Sequence, residues 1–253
     1  MIKIIDNNND FSSDVYELSV GNPFGCRIVS LYKTYNYNLP FVDFWVQYID
    51  GKAVSTISRL EGSFILRLSD ESGLDEISAF IRVSGADSVI CDAKYKLECN
   101  MHRISGPILF SDNTFDIENS FDVYTPSPKD VYSIISKSAS NNFKVPSYDS
   151  FMLDVNHKLG SRVIRMYGIM SDNVPAACIM TLAESRDSAV LGALATNPDS
   201  RKKGYGAFLI KYINNILIKE GKCVYLHRAP DENISFYNKL GFKHYSDWAE
   251  YKD

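Results

Sequence analysis

Apolar positions in this chain follow two periods, and the switches between them mark out its elements. Residues 41–49, Phe-Val-Asp-Phe-Trp-Val-Gln-Tyr-Ile, are aromatic and β-branched, and residues 52–59 resume an extended pattern after Asp50-Gly51. An Asp-Gly pair between two such runs signals a two-residue hairpin turn. Glu61-Gly62 makes a second turn before Phe64-Ile65-Leu66-Arg67-Leu68, so three antiparallel strands follow one another. The period then changes. Leu74, Ile77 and Ile81 fall on one helical face with Phe80 beside it, Gly85 is placed to stop the helix, and residues 88–91 return to a short apolar strand. Upstream, residues 24–35 follow the turn-like Gly21-Asn22-Pro23 as a helix, and the polar stretch 6–14 reads as an irregular arm or a short helix.

From residue 94 to 122 the periodicity weakens, with turns at Ser105-Gly106-Pro107 and Ser111-Asp112-Asn113. Thr125-Pro126-Ser127-Pro128 reads as a linker, because two prolines interrupt any regular element there. At 253 residues two domains are the better expectation, here 1–124 and 125–253. The second opens with helical patterns at 129–140 (Val131, Ile134, Ile135, Ala139) and at 147–159 (Phe151, Val155, Leu159, closed by Gly160). Extended runs at 163–170, 176–183 and 189–196 then form a meander, with turns at Ser171-Asp172-Asn173 and at 184–188. A long helix at 206–220, stopped by Gly221, a strand at 223–227, a short helix at 233–240 closed by Gly241, and an extended segment at 242–251 complete the chain. The fold class is α+β: a mixed, largely antiparallel sheet flanked by helices, with a smaller N-terminal α+β domain.

Composition narrows the function classes. A net charge of −4 argues against general affinity for nucleic acid or an anionic membrane, both of which need a basic face. The five cysteines (Cys26, Cys91, Cys99, Cys178, Cys223) are odd in number, widely spaced and set mostly in apolar runs, as buried free thiols of a reducing compartment are. His102, His157, His227 and His244 form no ligand-spaced cluster, so no metal is expected. The N-terminal residues lack the apolar core of a signal peptide, and no apolar run approaches the ~18 residues of a membrane span. These points lead to the cytoplasm as the expected location.

One stretch carries chemistry. An apolar strand-like run ending at Leu194, Ala195 and Thr196 meets Pro198 and then Arg201-Lys202-Lys203-Gly204-Tyr205-Gly206, which opens the long helix. The first turn of a helix exposes amides without intrahelical partners and carries the positive end of the macrodipole. Glycines at 204 and 206 allow close approach of a phosphate, and three basic side chains surround it. Alone, the stretch is equally an ordinary helix entry beside a solvated charge run, and it matches neither G-x-x-x-x-G-K-[ST] nor G-x-G-x-x-G.

A second block decides between these readings. Some thirty residues downstream, Glu232-Asn233-Ile234-Ser235-Phe236-Tyr237-Asn238-Lys239-Leu240-Gly241-Phe242 resembles the N-x-x-x-Y-x-x-x-G-F block of the GNAT superfamily of acetyl-CoA-dependent N-acetyltransferases, matched at Asn233, Tyr237, Gly241 and Phe242. The upstream block resembles that family's [RQ]-x-x-G-x-[GA], and Thr196-Asn197-Pro198 its V-x-P; Thr at this position is closest to the FR47-like branch. The resemblance covers roughly residues 131–253 and implies the GNAT fold with acetyl-CoA as co-substrate and no metal. It further implies that the backbone of Leu194, Ala195 and Thr196 pairs with the pantetheine arm. Arg201, Lys202, Lys203, Gly204 and Gly206 would hold the pyrophosphate, and Asn233 and Phe236 would line the cofactor arm. Tyr237 would protonate the departing thiolate, a task that suits a phenol with a pKa near about 10.

The implied reaction is direct attack of a primary amine, from a small molecule, amino acid or peptide, in a ternary complex. An active-site cysteine is not needed, and Cys178 and Cys223 are expected to be structural. The family often carries Glu early in the strand before V-x-P, where this chain has Val190. Glu184 is the nearest replacement base, acting through water from the preceding turn, with Asp187 and His157 as further candidates. A non-catalytic acyl-CoA-binding sensor is the competing function. The N-terminal half repeats the order of elements and reads as a degenerate second copy. Its corresponding turn, Ser69-Asp70-Glu71-Ser72-Gly73, carries two carboxylates and no basic residue, so no CoA is expected there. That half would complete the acceptor pocket or act as a lid; an independent β-rich binding module is the other account. Neither the acceptor nor the oligomeric state is legible.

Overall fold

The structure is a computed structural model that describes residues 1–6, 12–37, 39–118, 120–139 and 145–252. By internal contacts the chain divides into two compact units, Met1–Ile108 together with His244–Asp253, and Leu109–Lys243.

The first unit contains β1 (Ile2–Ile4), α1 (Ser12–Ser19), α2 (Pro23–Tyr35), β2 (Val42–Ile49), β3 (Lys52–Leu60), β4 (Ser63–Leu68), α3 (Leu74–Val83) and β5 (Ser88–Asp92). Strands β1 to β4 pair antiparallel in sequence order, and β5 lies parallel to β4. Asp50 and Gly51 both have positive φ, as the expected hairpin turn requires. Asn22 starts α2 by accepting hydrogen bonds from the amides of Phe24 and Gly25. The helical stripe read from the sequence is the buried face of α3: Ile77 and Ile81 pack against Phe64, Leu66 and Val89. Of the polar stretch 6–14, residues 7–11 lie outside the described residues, and α1 begins at Ser12.

β6 (His102–Ser111) carries the chain into the second unit, which holds β7 (Val123–Tyr124), α4 (Pro128–Lys137), α5 (Tyr148–Gly160), β8 (Met166–Ser171), β9 (Val174–Glu184), β10 (Ser188–Thr196), α6 (Tyr205–Lys219), β11 (Cys223–His227) and α7 (Ile234–Leu240). Here β7 to β10 pair antiparallel in sequence order, and β11 lies parallel to β10. Helix α6 covers one face, with Leu209, Ile213 and Leu217 against Ile179, Leu191, Val224 and Leu226. Helices α4 and α5 cover the other, with Val131, Ile134 and Val155 against Cys178, Met180 and Ala195. Each aliphatic side chain so buried contributes roughly 1.5–3 kcal/mol. Both units thus run strand, two helices, three antiparallel strands, helix, and a strand parallel to the third: the same succession twice.

Four expectations change. The Ser105-Gly106-Pro107 turn is absent; β6 runs straight through it, because the flanking Ile108 and Leu109 are drawn into the core. The units part at Ile108/Leu109 rather than near residue 124. Residues after 108 are bound to α6: the side chain of Asn215 hydrogen-bonds both backbone groups of Phe115, and Lys211 donates to the carbonyl of Asp116. The prolines read as a linker instead start a helix, where Ser127 and Asp130 form a capping box and Pro128 occupies the first turn. Finally, the terminal strand β12 (Lys243–Lys252) pairs antiparallel with β5, so His244 onward belongs to the first unit.

Candidate functional site

The site begins where two strands part. The ladder between β10 and β11 runs from Ser188↔Cys223 to Leu191↔Leu226 and stops, while the ladder between β10 and β9 continues to Thr196↔Ala177. Register shifts fall within residues 190–195 of β10, and Ala193 takes φ +48°, so the strand bends at the point of divergence. The β11-facing edge of residues 192–196 is therefore left as a strand edge on which an extended ligand can pair.

Beyond Thr196 a 3₁₀ turn (Pro198–Ser200) leads to α6. Lys202 and Gly204 both adopt left-handed backbone, at φ +63° and +85°. No side chain caps α6, so the amides of its first turn converge with the macrodipole on one concavity. Gly204 needs its positive φ. Gly206 does not: a Cβ there would sit 3.6 Å from Thr196 Oγ1 and 3.9 Å from Leu194 Cδ1, ordinary contacts. The protein itself thus makes no demand for glycine at 206, whereas a phosphate against that backbone would. The residues fit a pyrophosphate on this ground.

Two adjoining cavities extend from the turn. One, of ≈ 370 Å³, is lined by Leu194, Thr196, Arg201, Lys202, Gly204, Gly206, Asn233, Phe236 and Tyr237 among others. The second, of ≈ 640 Å³, reaches into the divergence of β10 and β11 past Ala195, and shares Leu194, Thr196, Arg201, Asn233 and Tyr237 with the first. The structure so brings together every expected cofactor residue except Lys203, which is exposed and lines neither cavity.

Tyr237 is held on α7 by edge contacts with the rings of Phe236 and Phe242, at 5.1 and 6.2 Å between centroids. Burial pushes its hydroxyl above the ordinary phenol value; Arg228 opposes this and Glu232 reinforces it. The phenol keeps its proton at neutral pH, as a general acid must. Arg228 fastens the loop before α7 by donating to the carbonyls of Ala229 (3.1 Å) and Glu232 (2.7 Å).

Sequence reasoning missed Ser138, His227, Arg228 and Glu232, all of which line the larger cavity. A usable signal was present in the polar run directly after the carboxyl end of a parallel strand, where open sheets place their ligands.

Glu184 is placed elsewhere. It ends β9 rather than sitting in the turn, is almost fully buried, and lines neither cavity. Arg165 holds it with two hydrogen bonds (2.6 and 2.8 Å), Lys222 with a third (2.6 Å), and the Thr181 hydroxyl with a fourth (2.9 Å). Burial raises its pKa, but the bonds and charges of Arg165 and Lys222 outweigh that and hold the carboxyl below its usual range. A carboxylate held by two cations and lining neither cavity is a structural ion-cluster member and not the expected base. Asp187 and His157 line neither cavity. Val190 is buried, which leaves the family's usual Glu position without an ionisable group. Cys178 is buried with its thiol pushed up to about 12, and Cys223 is raised by burial, so neither is a nucleophile. Among the described residues no group of His, Cys, Asp and Glu is arranged to hold a metal, and no helix is long and apolar enough to cross a membrane.

The first unit has the counterpart turn with a different filling. Gly73 again enters its helix with positive φ, at +72°. Here the side chain of Gln47 donates to the Gly73 carbonyl at 2.9 Å, and a Cβ on Gly73 would collide with its amide nitrogen at 2.3 Å. Asp70 accepts from the Ser72 amide at 2.8 Å. After β5 the chain folds back so that the buried Tyr95 donates to the Leu68 carbonyl at the end of β4 (3.2 Å).

Residues 166–252 match the family model described as FR47-like protein. Among solved structures the chain is similar to a tandem GNAT protein from the clavulanic acid biosynthesis pathway, at 14% identity and a TM-score of 0.63, over 99% of this chain and 97% of that one. A protein from Drosophila aligns at 12% identity and a TM-score of 0.67, over 99% and 98% of the two chains. An acetyltransferase of the GNAT family from Colwellia psychrerythraea aligns at 12% identity and a TM-score of 0.58, over 99% and 98%. No curated protein sequence matches the chain. At these identities the likeness establishes the fold, a GNAT fold preceded by a second, GNAT-like copy.

Proposed function

With an FR47-like match in its C-terminal part and the GNAT-like succession of elements in both halves, the chain is a GNAT-superfamily protein, and on that premise we propose that it is an N-acetyltransferase. It transfers the acetyl group of acetyl-CoA to a primary amine of a small molecule, amino acid or peptide. The observation that carries this reading is the continuity of the site. A turn of uncapped amides at residues 201–206 adjoins a strand edge at 192–196, and both share a cavity with a half-buried Tyr237 that keeps its proton at neutral pH.

Acetyl-CoA supplies an activated thioester. The turn amides with Arg201 and Lys202 hold its pyrophosphate, and the open edge of β10 takes the amides of its arm in strand-like pairing. Asn233 bonds the arm from the opposite wall. Tyr237 holds a proton beside the departing sulfur and donates it as the thiolate leaves. The free thiols, four of the five buried, suit a reducing compartment, which we take to be the cytoplasm. The first unit, where Gln47 and Asp70 bond the corresponding turn, is not expected to take a second CoA.

The test is thiol release from acetyl-CoA across a panel of amines, with Tyr237→Phe as control. Amine-dependent release that the variant loses supports the enzyme. Tight acetyl-CoA binding without release on any amine favours a sensor, and absence of binding overturns both.

A further inference from the structure

The acetyl transfer proposed above needs a group that takes a proton from the acceptor, because an alkylamine is an ammonium at neutral pH and has no lone pair to offer. The family's usual carboxylate position is the buried Val190, and Glu184 is spent in its ion cluster. Besides Tyr237, the charged or titratable groups lining the larger cavity are Arg201, His227, Arg228 and Glu232. An arginine does not give up its proton in a protein, and Tyr237 enters the reaction protonated.

Of the remaining two, Glu232 belongs to the loop before α7, whereas His227 belongs to the strand that parts from β10. It is the last residue of β11, one position beyond Leu226, where the ladder to β10 stops. Val224 and Leu226 pack with α6, so the alternation of a strand puts His227 on the opposite face with Tyr225. On that face α4 and α5 pack against Cys178, Met180 and Ala195. His227 therefore stands at the apex of the gap, on the side away from α6. A neutral imidazole offers the ring-nitrogen lone pair that a proton acceptor needs.

We propose that His227 is the catalytic residue that takes the proton from the acceptor ammonium, an assignment that rests on the acetyltransferase reading. R–NH₃⁺ gives one proton to His227, and the freed lone pair forms the C–N bond to the thioester carbonyl carbon. As the C–S bond breaks, its electron pair leaves on sulfur, which takes the Tyr237 proton. The second nitrogen proton returns through solvent to Tyr237, and His227 releases its proton to water. The sum is R–NH₃⁺ plus acetyl-CoA giving the amide, CoA thiol and one proton.

The test uses the full chain and two classes of nucleophile. Spermidine, phenylethylamine and a lysyl peptide are ammonium ions at pH 7, whereas hydroxylamine is largely unprotonated and needs no base. His227→Gln is expected to slow acetyl transfer to a reactive alkylamine about 100-fold, with the loss narrowing as pH rises, while transfer to hydroxylamine stays near the wild-type rate. Equal losses on both classes, or no loss on either, overturn the proposal. A second measurement needs no acceptor: in protein labelled with ¹³C-histidine, the His227 ring resonance, assigned by the same variant, is expected to shift on addition of acetyl-CoA. If acetyl-CoA binds by calorimetry and that resonance does not move, the His227 role falls alone. If acetyl-CoA does not bind the wild type, the acetyltransferase reading falls and takes this role with it.

Discussion

Replacing Glu184 by Gln separates the structural account of this residue from a catalytic one. Its side chain is 7% exposed and joins Arg165 and Lys222, each at 2.6 Å. Removing one partner of a buried ion pair costs about 3–5 kcal/mol, chiefly because the other charge is stranded. Here the stranding is partial, since Arg165 keeps Glu220 at 2.6 Å and Lys222 keeps it at 3.3 Å, and Gln retains one oxygen as an acceptor. The expected loss is therefore smaller, roughly 2–3 kcal/mol, or about 6–9 °C in melting temperature for a unit of this size. The sign of the pH dependence follows from the depressed carboxyl. Its contribution is present above its ordinary value of 4.5 and is lost as pH falls through its lower value in the folded state. Wild type and variant thus converge in stability on acidification below that point. Melting followed by circular dichroism across pH gives the stability, and acetyl transfer per folded molecule at neutral pH gives the rate. The expected variant is less stable with an unchanged rate and acetyl-CoA affinity. An unchanged melting point with a large fall in rate would return Glu184 to the role of base and refute the reasoning.

Tyr237→Phe is expected to lower kcat by about 10²–10⁴-fold while leaving the acetyl-CoA Kd unchanged, because only proton donation is removed; calorimetry beside steady-state kinetics checks the split. Gly206→Ala should stabilise the protein by about 0.4–1 kcal/mol, as an alanine in a helical position with room for its Cβ does, yet weaken acetyl-CoA binding by about tenfold or more, about 1.4 kcal/mol. A variant that gains stability without losing affinity would show that no phosphate lies against residue 206. Calorimetric titration with CoA is expected to give one site per chain, and two sites would show that the Gln47 and Asp70 filling of the first unit yields to ligand.

Much of the fold was legible because local signals and tertiary packing agree. Asp50-Gly51 specifies its hairpin through backbone conformation alone, and the stripes of α3 and α6 are at once helical periods and buried faces. The failures fall where packing overrides a local signal. Gly106-Pro107 reads as a turn, yet the pull of Ile108 and Leu109 into the core keeps β6 extended. The extended pattern of β12 was plain, but nothing local states that its partner is β5, far back in the chain. The proposed cofactor side of the site was legible for a related reason: it consists of backbone amides and glycines in one contiguous turn. The base was not, because it depends on which strand face and which loop meet at the gap between β10 and β11.

The two units also separate what the fold requires from what the ligand requires. Gly73 and Gly204 share the left-handed entry into the helix that follows the third strand, so that feature belongs to the fold. What differs is the space beside it. In the first unit Gln47 bonds the Gly73 carbonyl, Asp70 takes the Ser72 amide, and Tyr95 bonds the end of β4. In the second unit the corresponding amides face a cavity, three cations follow Ser200 in the chain, and Gly206 has a vacancy the protein does not need. A glycine without a structural demand in one copy, where the other copy places a side chain beside the turn, is what a ligand against that backbone would require. By that argument residue 206, more than the basic run that precedes it, makes the second unit the one proposed to bind acetyl-CoA.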